Sequence, residues 1–333
     1  MPGKHKTIPI FVPHLGCPQD CLFCDQKKIT GQKEEMTAEK ARAIIAEGTK
    51  CRCEGDYIEI GFFGGSFTGI PAGQQEALLE PAYEAVVSGK ADGIRLSTRP
   101  DYINDAVLER LKRFGVTTVE LGAQSMCDEV LSQSRRGHSA AQTISAAEKI
   151  HAAGLNLGLQ MMLGLPGDSP EETKKTVEAF IIMKPQCVRI YPTLVIRGTA
   201  LEQLYLSGGY EPLSLEEAVE QCAEVYLAFR REKIDVIRMG LLDMEPESVC
   251  AGPQHPAFGE LVMGQACKLR LWEALKPYQG KGAVIRTNPR YVSVLVGQKR
   301  KNINQLAEAF NLKIHVEQDD AIPWEAFDVL PEN

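Results

Sequence analysis

Residues 7–24 read TIPIFVPHLGCPQDCLFC, an apolar run that passes directly into a loop containing three cysteines. The run is rich in β-branched and aromatic residues, which predicts a buried β-strand. Cys17, Cys21 and Cys24 follow it with C-x3-C-x2-C spacing. Three thiols on one short loop can reach one metal centre, and thiolates favour zinc or iron–sulfur clusters. The stretch therefore predicts a strand that carries a metal-binding loop at its carboxyl end.

The number of protein ligands distinguishes a zinc site from an iron–sulfur cluster in this loop. Structural zinc usually needs four protein ligands, and a fourth would have to come from His14, Cys51 or Cys53, because the chain has no second C-x2-C pair. A [4Fe–4S] cubane held by three cysteines leaves one iron free for a small molecule. Ordinary buried cysteines are a third reading, although a loop with proline and aspartate is unlike a core. We favour the cubane and keep zinc as the alternative.

Short β-rich runs and amphipathic helical patterns alternate along the first 240 residues, which predicts an α/β fold with a parallel sheet. The predicted strands are 7–12, 57–63, 94–97, 118–121, 156–162, 187–191 and 236–239. The predicted helices include 38–50, 74–87, 105–113, 140–153, 171–183 and 215–231. No G-x-G-x-x-G turn follows the first strand, so a partial (β/α)6-type TIM-like barrel is favoured over a dinucleotide fold. Barrel active sites lie at the carboxyl ends of the strands, where the cysteine loop falls.

The alternation stops near residue 241, so we predict a barrel over residues 1–245 and a small basic α+β domain over residues 246–333. Within the second domain, the patterns predict a strand at 290–296, a helix at 302–310 and a strand at 312–316. Nine basic residues and one acid occur between 268 and 301, although the whole chain carries a net charge of −7. A basic segment on an acidic protein predicts a polyanionic partner. The basic residues are Lys268, Arg270, Lys276, Lys281, Arg286, Arg290, Lys299, Arg300 and Lys301.

The amino-acid composition indicates the class of protein and the cellular compartment in which we expect it. The 333 residues are 44% hydrophobic and 24% charged, which is ordinary for a globular protein. No apolar run approaches the ~18 residues that span a bilayer, and the basic N-terminus is not followed by an export signal. Ten cysteines are too few for a disulfide scaffold in a chain of this length. We therefore expect a cytoplasmic protein with reduced thiols.

The cysteine spacing resembles that of the radical S-adenosylmethionine (radical SAM) enzymes. In that family the open iron binds S-adenosylmethionine, and an electron from the reduced cluster cleaves it to methionine and a 5′-deoxyadenosyl radical. The resemblance implies a [4Fe–4S] cluster on Cys17, Cys21 and Cys24, S-adenosylmethionine, and a low-potential electron donor of the flavodoxin or ferredoxin type. Phe23 matches an aromatic residue that lies near the adenine. Gly64-Gly65-Ser66 resembles the motif for the methionine amino group.

Longer motifs resemble the radical domain of the Elongator catalytic subunit, a tRNA wobble-uridine modifying enzyme, and its stand-alone relatives. The motifs are GGSF at 64–67, STRPDY at 97–102, ELGAQS at 120–125, RGH at 136–138 and IYPTLVIRGT at 190–199. Together they cover the chain from about residue 7 to residue 240. The resemblance implies a radical SAM enzyme that modifies RNA, with tRNA as the first candidate.

The resemblance also implies roles for single residues. Gln124 and Arg136 would orient the ribose and the carboxylate of S-adenosylmethionine. Gln160 would contact the ribose, as the matching residue does in oxygen-independent coproporphyrinogen oxidases. Leu194 and Val195 would form a shelf for the adenine.

Two departures from the Elongator pattern bear on function. Ser97, on a strand expected to contact the ribose, stands where that family usually has a glutamate. The sequence also leaves no room for an acetyltransferase domain, so we expect that chemistry dependent on acetyl-coenzyme A does not carry over. Two alternatives stay open. One is a radical SAM enzyme for a small metabolite or tetrapyrrole, and the other is a non-catalytic iron–sulfur or zinc protein that binds RNA.

The basic segment contains a second, weaker resemblance. Residues 296–303, VGQKRKNI, resemble the G-x-x-G loop of K-homology RNA-binding domains, with Arg300 in place of the second glycine. At a predicted strand-to-helix turn, Lys299, Arg300 and Lys301 could contact phosphates. The aromatic residues proposed to stack on bases are Trp272, Tyr278 and Tyr291. The segment predicts RNA binding, and the alternative is a solvated basic face.

Overall fold

The computed structural model describes residues 4–12, 16–17, 21–25, 35–241 and 244–332. The chain divides into two compact units. Unit 1 comprises Met1–Ser214 and Phe229–Gln254, and unit 2 comprises Leu215–Ala228 and His255–Asn333. Unit 2 thus includes a segment, 215–228, that lies within the stretch predicted for the barrel. The predicted domain boundary after residue 245 stays a prediction.

Unit 1 is built around a seven-stranded parallel sheet. Its strands are β1 (His5–Val12), β2 (Tyr57–Gly64), β3 (Gly93–Thr98), β4 (Val116–Gln124), β5 (Asn156–Leu163), β6 (Cys187–Pro192) and β8 (Asp235–Met239). They lie side by side in this order, with β1 at one edge and β8 at the other. All seven predicted strands are confirmed, and so is the open, partial barrel. The carboxyl ends of the strands meet at one edge of the sheet, which is where the cysteine loop begins.

Helices follow most of these strands, as expected for βα units. They are α1 (Ala38–Gly48), α2 (Ala72–Val87), α3 (Asp105–Arg113), α4 (Asp128–Gln133), α5 (Ala140–Ala152), α6 (Pro170–Met183), α7 (Ala200–Leu206) and α8 (Leu215–Arg231), of which residues 215–228 belong to unit 2. The short strands β7 (Val195–Ile196) and β9 (Val249–Ala251) pair antiparallel. The start of α6 is set by Ser169, whose hydroxyl accepts a hydrogen bond from Glu172 N at 3.3 Å, with Pro170 at the first helical position. Within the described residues, no helix has both the length and the apolar character to cross a membrane.

Unit 2 has a three-stranded sheet. Its elements are α9 (Phe258–Leu275), β10 (Gly282–Thr287), α10 (Val292–Val296), α11 (Lys301–Phe310), β11 (Lys313–Gln318) and β12 (Phe327–Pro331). Strand β10 pairs parallel with β11 and antiparallel with β12. Leu271, Ile285 and Leu306 are fully buried in one core, so helices and sheet pack together. The predicted small α+β fold is confirmed.

The strand predicted at residues 290–296 is wrong, because this stretch forms a 3-10 turn followed by α10. The side chain of Asn288 accepts a hydrogen bond from Arg290 N at 3.1 Å and so starts the turn. Tyr291 and Leu295 lie one helical turn apart, and both are buried in the core of unit 2. The burial of Tyr291 also excludes its predicted stacking on bases.

Candidate cofactor site

The three cysteines after β1 are close neighbours at different depths. Cys21 is buried, whereas Cys17 and Cys24 are partly exposed. Burial, followed by the nearby Cys21 and Cys17 thiols, raises the pKa of Cys24 to about 12. In the described part of the chain, no three His, Cys, Asp or Glu side chains converge on a single ion. Cubane ligands bind separate irons and do not require such convergence. His14, the first zinc alternative, lies outside the described residues.

Backbone contacts hold the cysteine loop against other parts of unit 1. Leu22 N donates to Ser134 O at 3.2 Å, and Leu22 O accepts from Leu201 N at 2.8 Å. Gly16 has a positive φ of 73°, and a methyl group there would overlap the carbonyl oxygen of Ser66. The loop therefore depends on glycine for its close approach to the segment after β2.

The Gly-Gly motif lies beside the base of this loop. Gly64 has a φ of 115°, and a methyl carbon there would lie only 2.9 Å from Val12 O. Gly65 N donates to the same carbonyl at 3.1 Å. The hydroxyl of Ser66 is buried and lies 2.9 Å from that of Thr98, so it stabilises the turn. The predicted roles of Gly64, Gly65 and Ser66 toward the methionine amino group stay predictions.

The structure brings Gln124 and Arg136 together at the end of β4. A methyl carbon at Gly122 would lie 3.0 Å from Gln124 Nε2 and 3.4 Å from Arg136 Nη2, so both side chains lie over this glycine. Arg136 Nη2 donates to Gly122 O at 2.6 Å, and Nη1 donates to Cys21 Sγ at 3.2 Å. The predicted polar pair and a predicted cluster ligand thus meet at one place, which we call the Arg136 corner (Cys21, Gly122, Gln124 and Arg136).

Buried polar atoms in and around the Arg136 corner lack hydrogen-bond partners among the described residues. They include Arg99 Nη1, Gln124 Oε1, Ser134 Oγ, Arg136 Nε and His138 Nδ1. Buried polar atoms in proteins are nearly always paired, so such a group of atoms points to a ligand. The carboxylate, amino and ribose hydroxyl groups of S-adenosylmethionine offer suitable partners, and three nearby thiols suit an iron–sulfur cluster. The residues present therefore fit both groups.

His138 contributes a neutral acceptor close to this corner. Burial, followed by the charges of Arg136 and Arg99, lowers the pKa of His138 to about 4. The ring is therefore uncharged near pH 7. Its Nε2 lies 3.3 Å from Ala123 O, where it donates, so the unpaired Nδ1 is an acceptor.

Ser97 and Gln160 also come together. Gln160 Nε2 donates to Ser97 Oγ at 3.0 Å and to Glu120 Oε2 at 2.9 Å. The two predicted ribose contacts thus lie on one face of the sheet, where they hold each other in place. Their contact with the ribose stays a prediction.

The apolar side of the predicted cofactor site is divided. Phe23 packs in one cluster with Val195 and Met162. Leu194 packs instead in a separate cluster with Ile196. The structure therefore joins Phe23 with Val195 and places Leu194 apart from them. The adenine shelf stays a prediction for both residues.

A buried ion network that includes Gln160 was not predicted from the sequence. Glu120 accepts from Arg189 Nε at 2.6 Å and from Arg95 Nη1 at 2.7 Å, and Arg95 also pairs with Glu59. Burial alone would raise the pKa of Glu120, but Arg189 and then Arg95 outweigh it, so the pKa lies below its ordinary value. The signal that could have revealed this network was a single charged residue within each of the otherwise uncharged strands β2, β3, β4 and β6, because a charge inside a buried strand needs a partner of opposite sign.

The three residues predicted to bind RNA lie in unit 2. Lys299, Arg300 and Lys301 are exposed and follow α10, so the predicted strand-to-helix turn is instead a turn between two helices. Lys299 and Arg300 have φ values of 50° and 59°. Both therefore adopt the left-handed conformation, which glycine adopts without steric cost.

Comparison with known sequences gives matches along most of the chain. The radical SAM superfamily matches residues 11–180, which is just over half of the chain. A second family, the radical SAM C-terminal domain, matches residues 185–266. A tRNA uridine(34) acetyltransferase from Methanocaldococcus infernus is 30% identical over 249 residues, which cover 64% of this chain and 47% of the relative. Elongator complex protein 3 from Mus musculus is 30% identical over 238 residues, covering 63% and 42%. The chain spans about half the length of these relatives.

Solved structures show a similar fold. The archaeal Elp3 from Methanocaldococcus infernus, with an N-terminal deletion, matches with a TM-score of 0.63 at 25% identity, covering 79% of this chain and 62% of that one. SuiB from Streptococcus suis, bound to S-adenosylmethionine, matches with a TM-score of 0.50 at 14% identity, covering 72% and 47%. The second match supports the fold alone.

Proposed function

Because the chain belongs to the radical SAM superfamily, whose enzymes use a [4Fe–4S] cluster and S-adenosylmethionine, we propose that it cleaves S-adenosylmethionine reductively and modifies RNA. The match over residues 11–180 confirms the predicted family, enzyme class and cofactors. The RNA substrate is suggested by relatives such as the tRNA uridine(34) acetyltransferase. Acetyl transfer is not part of the proposal, because the chain spans only about half of that relative.

The Arg136 corner is the observation that carries the proposed reaction. Cys17, Cys21 and Cys24 would hold the cluster, which supplies the electron that cleaves S-adenosylmethionine to methionine and a 5′-deoxyadenosyl radical. Gln124 and Arg136 would orient the carboxylate and ribose with their unpaired buried atoms. Glycines 64 and 65 would admit the amino group. Phe23 and Val195 would exclude water from the adenine side.

The cleavage reaction has a direct test. Protein purified without oxygen is reconstituted with iron and sulfide, reduced and given S-adenosylmethionine, and 5′-deoxyadenosine is measured by mass spectrometry. We expect the product from wild type and none from a variant with alanine at Cys17, Cys21 and Cys24, which should also bind no iron. Wild-type protein that carries four irons but makes no 5′-deoxyadenosine, beside an active radical SAM control enzyme, would refute the proposal.

Radical SAM enzymes need an electron donor, and for this chain we propose a flavodoxin or ferredoxin in the cytoplasm. Plant-type ferredoxins have potentials of about −400 mV, low enough to serve clusters of low potential. Cytoplasmic conditions also keep the cluster thiols reduced. We expect a flavodoxin or ferredoxin with its reductase to replace dithionite in the 5′-deoxyadenosine assay, and product formed only with dithionite would exclude this donor type.

For RNA contact we propose the turn between α10 and α11. Lys299, Arg300 and Lys301 are exposed, and none of them pairs with a carboxylate in the described part of the chain. By contrast, Lys276 lies 2.6 Å from Glu273. Three uncompensated cations on one turn suit consecutive backbone phosphates.

A cavity of about 720 Å³ within unit 2 adjoins this turn. Lys301, Gln298 and Gln305 line it together with the carboxylates of Glu216 and Glu220. The carboxylates disfavour phosphate inside the cavity, whereas amides and carboxylates can both pair with the edges of bases. We therefore place phosphates on the turn and an unstacked base in the cavity.

The aromatic residues contribute less than expected to this interface. Trp272 is 40% exposed, but its ring packs on Phe310 with centroids 4.7 Å apart. Tyr278 is half-buried and donates its hydroxyl to Val329 O at 2.9 Å. Of the three predicted stacking residues, Trp272 alone presents an exposed ring.

RNA binding is tested by the salt dependence of tRNA affinity. We expect glutamine at Lys299, Arg300 and Lys301 to weaken binding and to reduce the slope of log K against log salt by about 2, since each single-strand phosphate contact contributes about 0.7. A control variant carries glutamine at the exposed residues Lys90, Lys174 and Lys233, which removes the same charge from unit 1.

Equal slopes for the two triple variants would refute the RNA interface at this turn. Formation of 5′-deoxyadenosine without any tRNA binding would favour a small metabolite or tetrapyrrole as substrate. Binding of tRNA without 5′-deoxyadenosine formation would favour the non-catalytic alternative.

A further inference from the structure

Arg136 differs from the other buried arginines of unit 1 in its charge balance. The residue is only 7% exposed, and among the described residues its side chain contacts no carboxylate. Arg95 pairs with Glu120 at 2.7 Å, and Arg99 pairs with Asp101 through two hydrogen bonds of 2.9 and 3.0 Å. A buried cation without an anion is costly. The Arg136 corner is therefore suited to receive negative charge.

The sulfur of Cys21 is positioned to carry that charge. Arg136 Nη1 donates to Cys21 Sγ at 3.2 Å, within hydrogen-bonding distance for sulfur. Nη2 is fixed at 2.6 Å from Gly122 O, and Nε has no partner in the described structure. One guanidinium thus binds a backbone carbonyl, contacts a predicted iron ligand and keeps a donor free.

Both partners are held by the same short segment. Arg136 N donates to Leu131 O at 2.9 Å, and Leu22, next to Cys21, donates to Ser134 O at 3.2 Å. Arg135, with a φ of 52°, bends the chain immediately before Arg136. The backbone therefore holds Cys21 and Arg136 near each other, and the bond from Nη2 to Gly122 O orients the guanidinium.

We propose that Arg136 sets the reduction potential of the cluster through a charged hydrogen bond to the Cys21 thiolate. The inference rests on the proposed function and extends it. One-electron reduction adds a negative charge, and hydrogen bonds to ligating sulfurs help to set the potential of iron–sulfur clusters. Arg136 stabilises the reduced form and acts through Cys21 as a positioning residue. Its free Nε leaves it able to bind the carboxylate of S-adenosylmethionine as well.

The test is a redox titration without S-adenosylmethionine, followed by electron paramagnetic resonance of the reduced cluster. It uses full-length reconstituted wild type, Arg136→Gln and Arg136→Lys. We expect the equilibrium constant for reduction to fall about tenfold in Arg136→Gln, which is a shift of about 59 mV to lower potential for one electron. Arg136→Lys keeps the positive charge but loses the planar set of N–H donors of the guanidinium, so its shift in reduction potential should be smaller.

Arg113→Gln is the matched control, because it removes one positive charge from an exposed position of α3. Its potential should equal that of wild type. Iron content and circular dichroism confirm that each variant holds a cluster and is folded.

Three results would overturn the inference. The first is an unchanged potential in every Arg136 variant that retains four irons. The second is an equal shift in Arg136→Gln and in the control Arg113→Gln, which would assign the shift to overall charge. The third is loss of iron from both folded variants, which would make Arg136 necessary for cluster assembly. Because no S-adenosylmethionine is cleaved in this titration, its outcome is separate from the 5′-deoxyadenosine assay.

Discussion

Two buried polar regions of unit 1 differ in how completely their charged and polar groups are paired. In the ion network, Glu120 accepts hydrogen bonds from Arg95, Arg189 and Gln160, and within the described chain these side chains have no unpaired buried atom. In the Arg136 corner, a buried cation lacks a carboxylate, and buried polar atoms lack partners. Complete pairing stabilises the sheet, whereas incomplete pairing leaves groups available to a ligand. This difference should appear in the free energy of unfolding of single variants and in its dependence on pH.

The largest effect is expected in the ion network. Glu120→Gln leaves Arg95 and Arg189 without their shared carboxylate, and breaking a buried pair costs about 3–5 kcal/mol of unfolding free energy. Urea denaturation of the metal-free protein measures this change. Glu84→Gln is the control, because Glu84 pairs with Arg42 where both side chains are about half exposed, so we expect a much smaller loss of unfolding free energy than in Glu120→Gln. Similar losses in the two variants would contradict the special status of the network.

His138 is expected to give the next largest effect, through pH. Its folded pKa of about 4 lies below its ordinary value of 6.5. The unfolded chain therefore binds the proton more readily between these values, and stability present above pH 6.5 is lost as the pH falls toward 4. The lost stability should reach up to about 3 kcal/mol.

His138→Gln is the matched variant, because its amide can still donate to Ala123 O. Denaturation midpoints across pH 4–8 should show a shallower decline in this variant than in wild type. Parallel curves would show that His138 does not titrate as its burial predicts.

The smallest effect on stability is expected at Arg136. Arg136→Gln removes hydrogen bonds but also removes a buried charge that has no carboxylate partner in the described structure, so the two changes offset each other. In metal-free protein we expect the unfolding free energy to change by no more than about 1 kcal/mol, whereas Arg95→Gln should cost about 3–5 kcal/mol. Equal losses would place Arg136 among the purely structural arginines.

Local patterns predicted the sheet because each strand carries its own signal, a short β-rich run bounded by a helical pattern. The strand predicted at residues 290–296 was wrong because Val292, Val294 and Val296 alternate as they would in a strand. The helical spacing of the buried residues Tyr291 and Leu295 covers only one turn, so it gives a weaker signal. Such a short helix is selected by the core it packs against, which a local pattern does not contain.

The candidate site was predictable in its parts, but its pairings were not. Motifs indicated Arg136 and Cys21 separately, but they lie 115 positions apart, and only the folded chain shows that they touch. Leu194 and Val195 are neighbours in sequence, yet they pack in different clusters because successive side chains of an extended segment point in opposite directions.

The two backbone hydrogen bonds of Leu22 have a consequence for dividing the chain. In one, Leu22 N donates to Ser134 O, within the segment 11–180 that matches the superfamily. In the other, Leu22 O accepts from Leu201 N, which lies beyond that segment. A fragment ending at residue 180 would keep all three cysteines and the Arg136 corner, yet it would lack the second of these bonds. Chain beyond residue 180 therefore helps to determine the geometry of the cysteine loop.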